Sequence, residues 1–282
     1  MRRTAEIEEA TNRWIVHPLS ARLVPVCARL GIHPNVVSLS GMICGVTAGF
    51  AYAQYPRLLF IICGFLLMGA WHILDGVDGQ LARLTSKQSA LGKLLDGICD
   101  YITFIAVYVG IGYVLAPLYG GWIWGLIALA GIAHAVQAAS YEAQRQDYDA
   151  WGKGLLHKRF TMSSSEAGWL YAAYLRLQLM VAGDIVALDR VMADAISCDP
   201  AQASLLQSRY QEIFAAPVRR WGVMSANWRT ISLFIFCLIG LPAGYFLMEI
   251  IGFSMVCAIL LRAQRRRRAA FVDMIRSESL PA

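Results

Sequence analysis

The chain has 282 residues, 57% of them hydrophobic and 16% charged, a balance too apolar for a soluble domain of this size and suited to an integral membrane protein. Its formal charge of +6, with no basic patch interleaved with aromatic residues, excludes nucleic acid as the expected partner and fits contact with anionic membrane lipids. The seven cysteines are scattered without CxxC spacing and read as reduced packing thiols.

Residues 1–33 read as an N-terminal interfacial helix, with Trp14, Ile15, Leu19, Leu23, Val26 and Leu30 at near-helical intervals and arginines between them. No cleavable signal peptide is expected, because this charged amphipathic stretch precedes the first long apolar run. Pro34 and Asn35 then break the chain, and Ser38, Ser40 and Gly41 open the first span. Apolar runs able to span a bilayer fall at Val36–Gln54, Leu58–Leu74, Leu94–Leu115, Gly121–Ala139, Thr230–Leu241 and Ala243–Leu261. The last two share about 32 residues around Gly240, Pro242 and Gly244, so a helical hairpin is expected there. Gly41 with Gly45, and Gly121 with Gly125, have GxxxG spacing suited to close helix approach, within the chain or between copies.

The expected fold is therefore all-α and integral to the membrane, with six transmembrane helices, spans one to four in residues 34–140 and spans five and six in 229–268. Residues 141–228 are less apolar, and the stretch 140–228 carries nine basic and nine acidic residues with helix-like patterns around Ala167–Asp194 and Ala201–Ala215. They read as a cytoplasmic helical insert capping the active site, with a plain packing insert as the alternative. Trp169 to Leu188 resembles a seventh span, but Arg176 and Asp184 interrupt it. Residues 269–282 form a cytoplasmic tail, and the arginines at 265–268 read as a topology anchor.

Lysine and arginine accumulate on the cytoplasmic side. Arg2, Arg3, Arg13, Arg22 and Arg29 precede the first span, Arg262 and Arg265 to Arg268 follow the last, and Arg83, Lys87 and Lys93 lie between spans two and three. Both termini and that loop are thus expected to face the cytoplasm, in a cytoplasmic or inner membrane.

The same loop region carries the chemistry. Residues 75–100 read DGVDGQLARLTSKQSALGKLLDGICD, with Asp75 and Asp78 three apart and Asp96 and Asp100 four apart, so each pair projects from one helical face. Four unpaired ionised carboxylates at helix centres would cost roughly 10–14 kcal/mol on insertion scales. Hard divalent cations held by carboxylate oxygens are the expected compensation: Mg²⁺ or Mn²⁺, with two ions about 3.5–4 Å apart able to stabilise attacking and leaving oxygens of a phosphoryl displacement. Gly79 and Ala82 leave room for a pyrophosphate, Arg83 supplies a forked donor, Ser89 a hydroxyl, and Gly92 lets two helices approach. His72, three residues before Asp75, reads as a helix-packing histidine, and His17, His33, His134 and His157 have no ligand spacing. Trp71, Trp122, Trp124 and Trp151 are expected at membrane interfaces.

This stretch resembles the signature of the CDP-alcohol phosphotransferase family: Asp, two residues, Asp-Gly, two residues, Ala-Arg, eight residues, Gly, three residues, Asp, three residues, Asp. Every fixed position is met, by Asp75, Asp78, Gly79, Ala82, Arg83, Gly92, Asp96 and Asp100. Pro34, Asn35 and Ser38 also resemble the family's approach to its first span. The resemblance implies six spans, a cytoplasmic site and a homodimer. It implies that Asp75, Asp78 and Asp96 bind metal with Asp100 completing the site, that Asp100 is the general base, and that Gly79, Ala82 and Arg83 line the CDP pocket. The reaction implied is attack of an alcohol on the distal phosphorus of a CDP-linked donor, releasing CMP.

The family divides by which partner is the lipid. The stretch KLLDGICDYI lacks the histidine that resemblance to the eukaryotic choline and ethanolamine enzymes leads one to expect after Asp96, which favours CDP-diacylglycerol with a polar acceptor. The alternative is a CDP-amino-alcohol donor with diacylglycerol or a ceramide-like acceptor. Arg145, Lys153 and Arg219 are candidates for the acceptor, beside Lys158, Arg159 and Arg220, although positive-inside topology explains them equally. Two rival classes are an intramembrane prenyltransferase, which needs two separated aspartate motifs, and a divalent-cation transporter, which needs acids along other spans, where Glu249 stands alone.

Overall fold

A computed structural model describes residues 5–154, 185–198 and 203–279, and every regular element among them is helical. A π turn at Asn12–Val16 leads into α1 (His17–Arg29), followed by α2 (Pro34–Tyr52), α3 (Leu58–Leu84), α4 (Ala90–Tyr119) and α5 (Ile123–Lys153). Then come α6 (Ile185–Cys198), α7 (Ala203–Arg220), a short 3₁₀ turn at Trp221–Met224, α8 (Ala226–Leu238), α9 (Pro242–Leu247), a π turn at Met248–Phe253 and α10 (Ser254–Ser279). Most of the stretch Trp169–Leu188, which is not expected to span, and of the helix-like stretch Ala167–Asp194 lies outside the described residues.

Among the described residues, five helices are long and apolar enough to cross a membrane: α2, α3, α4 from Leu94, α5, and the continuous stretch Pro242–Ser277. The expected fifth span sits in α8, whose 13 residues rise about 20 Å, short of a hydrocarbon core of about 30 Å. α3, α4 and α5 overrun their apolar runs. α3 continues to Leu84 and α5 to Lys153, so polar residues that composition assigned to loops are carried on rigid helix.

The chain divides into two compact units, one of residues 1–134 and 226–251, the other of 135–225 and 252–282. In the first, α2 packs on α3 and α4, and α3 also receives α1 and α8. Pro34 occupies the first position of α2, where its missing N–H is no loss, and the Asn35 amide donates to the His33 side chain at 3.3 Å. Gly41 and Gly45 are spent inside the chain, Gly41 against Leu74 and Gly45 against Thr103. At Gly49 a Cβ would run into the Ala106 carbonyl, so α2 and α4 touch backbone to backbone. The core of this unit runs through Tyr52, Met68, Trp71, Phe104, Tyr108 and Tyr245.

In the second unit the last part of α5 faces α10 across a polar seam. Gln137 donates to Ser254 at 3.1 Å, and Arg268 donates to Gln144 at 2.6 Å and to Asp147. Arg268 is 2% exposed, so it leaves the basic run that the sequence reads as an anchor, while Arg265 and Arg266 stay exposed. Tyr148, Tyr210, Phe214 and Phe271 form an aromatic core beside it. Trp151 belongs to this interior, donating to Asp189 at 2.8 Å; Trp122, before α5, and Trp124, in its first turn, are exposed. The six cysteines whose side chains are described are free thiols.

Candidate active site

Asp75 and Asp78 lie near the end of α3, and Asp96 and Asp100 near the start of α4, so a single short connection folds the two acidic faces toward each other. The connection is tightly made. The amides of Thr85 and Lys87 donate to the carbonyls of Leu81 and Ala82 at 2.9 Å each, Ser86 takes a left-handed φ of 55°, and the Ser89 hydroxyl accepts from the Gly92 amide at 2.9 Å to cap α4. The neighbouring face of α3 buries Val77 and Leu81 completely against α1 and α2, which fixes the rotation of the helix and with it the direction of the carboxylates.

Asp75, Asp78 and Asp96 each offer one oxygen within 4.8 Å of the others. Opposite ligands around a hard cation with metal–oxygen distances of 2.0–2.6 Å stand about 4–5 Å apart, so the triad has the dimensions and the all-oxygen chemistry of a Mg²⁺, Mn²⁺ or Ca²⁺ site. Three ionised carboxylates at that spacing repel by about 3–4 kcal/mol per pair even at an effective dielectric of 20.

Asp100 stands outside the triad but lines the same cleft, together with Ser38, Gly41, Trp71 and Cys99. Ser38, from α2, donates its hydroxyl to Asp78 Oδ2. Trp71 is buried, not interfacial, and meets Phe104 edge-on with ring centroids 5.4 Å apart. Neither Ser38 nor Trp71 is a site candidate by sequence, since a serine and a tryptophan carry no spacing signal; for Ser38 the hint is its place in the Pro34, Asn35 and Ser38 stretch that resembles the family's approach to its first span.

Arg83 folds back over Gly79, with a guanidinium nitrogen 3.4 Å from where a Cβ of residue 79 would stand. Ala82 is half-buried beside it. Gly92 faces the Ser89 hydroxyl and the Asn35 side chain at the start of α2, with no atom of α3 within 4 Å of where its Cβ would stand. Ser89 is exposed, with its oxygen engaged as the helix cap. His72 packs as expected, its Nε2 2.9 Å from the Thr230 hydroxyl. Arg145, Lys153 and Arg219 belong to the second unit, where Arg145 pairs with Glu142 at 3.1 Å and lies over the Tyr141 ring, and Lys153 and Arg219 sit at exposed helix ends.

The sequence profile of CDP-alcohol phosphatidyltransferases matches residues 31–190, more than half the chain and the whole of the aspartate cleft. The chain belongs to the CDP-alcohol phosphatidyltransferase family. Similar curated proteins include a CDP-diacylglycerol–serine O-phosphatidyltransferase of Mycobacterium tuberculosis, 29% identical over 124 residues that cover 42% of this chain and 40% of the relative. A cholinephosphotransferase 1 of Xenopus laevis is 30% identical over 115 residues, covering 39% and 27%. An archaetidylinositol phosphate synthase of Methanothermobacter thermautotrophicus is 27% identical over 133 residues, covering 46% and 62%. The chain thus spans less than two thirds of each of these relatives.

Proposed function

We propose that the protein transfers a substituted phosphoryl group from CDP-diacylglycerol to a polar alcohol and releases CMP. The observation that carries this reading is the convergence of Asp75, Asp78 and Asp96 with Asp100 lining the same cleft. Asp75, Asp78 and Asp96 would hold Mg²⁺ or Mn²⁺, a pair of ions with Asp100 completing the second, and the bound metal would neutralise the pyrophosphate and the charge that develops as its bond breaks. Arg83, braced over Gly79, supplies further positive charge to the pyrophosphate, with Ala82 beside it, and Ser89 and Gly92 close the CDP pocket.

Asp100 takes the proton from the acceptor hydroxyl as its oxygen attacks the distal phosphorus, and the bond from that phosphorus to the CMP oxygen breaks. Ser38 holds Asp78 in place by its hydrogen bond. Arg145, Lys153 and Arg219 are proposed to serve the acceptor.

The membrane arrangement belongs to the same proposal. α8 and the Pro242–Ser277 helix act as a hairpin that brings the crossings to six, both termini and the cleft face the cytoplasm, residues 141–228 form a cytoplasmic cap, and the protein works as a homodimer. A second reading, a CDP-amino-alcohol donor with a lipid alcohol, is supported by the similarity to the Xenopus protein named a cholinephosphotransferase. The deciding experiment offers purified protein CDP-diacylglycerol or CDP-choline in detergent with Mg²⁺ or Mn²⁺, follows CMP release, and identifies the lipid product by mass spectrometry. Release from CDP-choline alone would select the second branch, and release from neither would sink both.

A further inference from the structure

The N-terminal helix does more than cover apolar surface. Successive residues of α1 turn by about 100°, which divides it into three stripes. One stripe is docked: Ser20 is fully buried, Val24 is 7% exposed, and Val16 in the preceding turn is 8% exposed. The second is apolar and open, with Leu23, Val26 and Leu30 at 41%, 50% and 70% exposure. The third carries Arg22 and Arg29, seven residues apart and both exposed. Neither arginine makes an ion pair among the described residues, and no Asp or Glu occurs anywhere between residues 10 and 74 to oppose them.

The docked stripe rests on the turn of α3 that bears the carboxylates. Ser20 donates its hydroxyl to the Ile73 carbonyl at 2.7 Å. Gly76, between Asp75 and Asp78, lies against the same surface: a Cβ there would come within 3.2 Å of Ser20 Cβ and 3.3 Å of a Val16 methyl.

An apolar stripe flanked by an unopposed basic one is the pattern of a helix lying in the membrane interface, with hydrocarbon on one side and phosphate on the other. We propose that the outward face of α1 is a docking surface for anionic phospholipid headgroups, held by Arg22 and Arg29 and seated directly behind the aspartate turn of α3. The inference rests on the membrane placement above and is independent of the reaction assigned to the cleft. Neutral zwitterionic lipid satisfies the apolar stripe but leaves the arginines without a net opposing charge, so the surface selects for anionic lipid.

Hydrogen exchange of the full chain in nanodiscs tests this without any turnover assay. Phosphatidylcholine discs are compared with discs that also contain phosphatidylglycerol. Amides of residues 17–30 should exchange about fivefold more slowly in the anionic discs, the effect of roughly one arginine held at an anionic surface. Arg22→Gln with Arg29→Gln should abolish the difference, Arg22→Lys with Arg29→Lys should keep it, and Arg265→Gln with Arg266→Gln on α10 should leave it unchanged. Equal exchange of the wild type in both discs, or a difference that survives the double glutamine variant, overturns the proposal.

Discussion

Arg229 and Glu249 meet at 3.1 Å with both side chains wholly excluded from the surface. The pair ties α8 to the π turn that follows α9, and it extends into a chain of hydrogen bonds. Tyr245 donates to the second Glu249 oxygen at 3.1 Å, Tyr108 of α4 lies 3.0 Å from the Tyr245 hydroxyl, and His134 lies 3.2 Å from Tyr108. The unit that holds the aspartate cleft therefore contains a second polar assembly, and Glu249, alone by sequence, is fully partnered.

Removing one member of a buried ion pair strands the other charge and costs about 3–5 kcal/mol, whereas replacing both by apolar residues of similar size is often neutral. Glu249→Leu and Arg229→Met should each lower the melting temperature in detergent substantially. The double variant should lie well above the sum of the two losses. Additive losses in a thermal-shift series would show that the two side chains act separately.

The aspartate quartet, its helical spacing and the direction of its two faces were legible because each depends only on the 3.6-residue period. The extents of the helices were not: α3 and α5 run on past their apolar stretches, because a helix continues until a cap or a left-handed residue stops it, as Ser86 does after α3. Arg229 reaches Glu249 from 20 residues away, Asp189 reaches Trp151 from 38, and Asp147 and Gln144 reach Arg268 from 121 and 124, and no local pattern announces such pairings. Ser38 shows the limit most plainly, since its role rests on touching Asp78, 40 residues later.

Ser38→Ala removes a hydroxyl that reaches a largely buried carboxylate, a hydrogen bond to a charged group worth about 1.5–3 kcal/mol. Manganese affinity, read by electron paramagnetic resonance titration, should fall about 10-fold or more, the usual scale for partners of a metal ligand. Ser38→Thr, which keeps the hydroxyl, should recover most of it. An unchanged affinity in the alanine variant would detach Ser38 from the metal site.

Gly49 lies so close to the Ala106 carbonyl of α4 that a methyl group cannot fit without moving a backbone. Gly49→Ala should therefore destabilise by about 1–3 kcal/mol, the cost of overpacking a tight contact. Gly125, with no neighbour within 4 Å of its hypothetical Cβ, supplies the control: Gly125→Ala should leave the melting temperature of the single chain unchanged or slightly raised. Comparable losses at both positions would contradict the packing of α2 on α4.

Asp75, Asp78 and Asp96 approach one another within 4.8 Å, while Asp100 only lines the cleft, and that difference separates two roles by experiment. On the proposed reading Asp78→Asn removes the charge of a metal-binding carboxylate and should weaken Mn²⁺ binding and CMP release together. Asp100→Asn should nearly abolish CMP release yet leave CDP-donor binding largely intact, because an amide cannot take the proton of the acceptor hydroxyl. Equilibrium binding of CDP-diacylglycerol and single-turnover CMP release on the same preparations make the comparison. Parallel loss of donor binding and turnover in Asp100→Asn would place Asp100 among the ligands alone and leave the proton without an acceptor in this cleft. A chelator should stop release by the wild type, and activity that persists without divalent metal would remove the reason for gathering the acids.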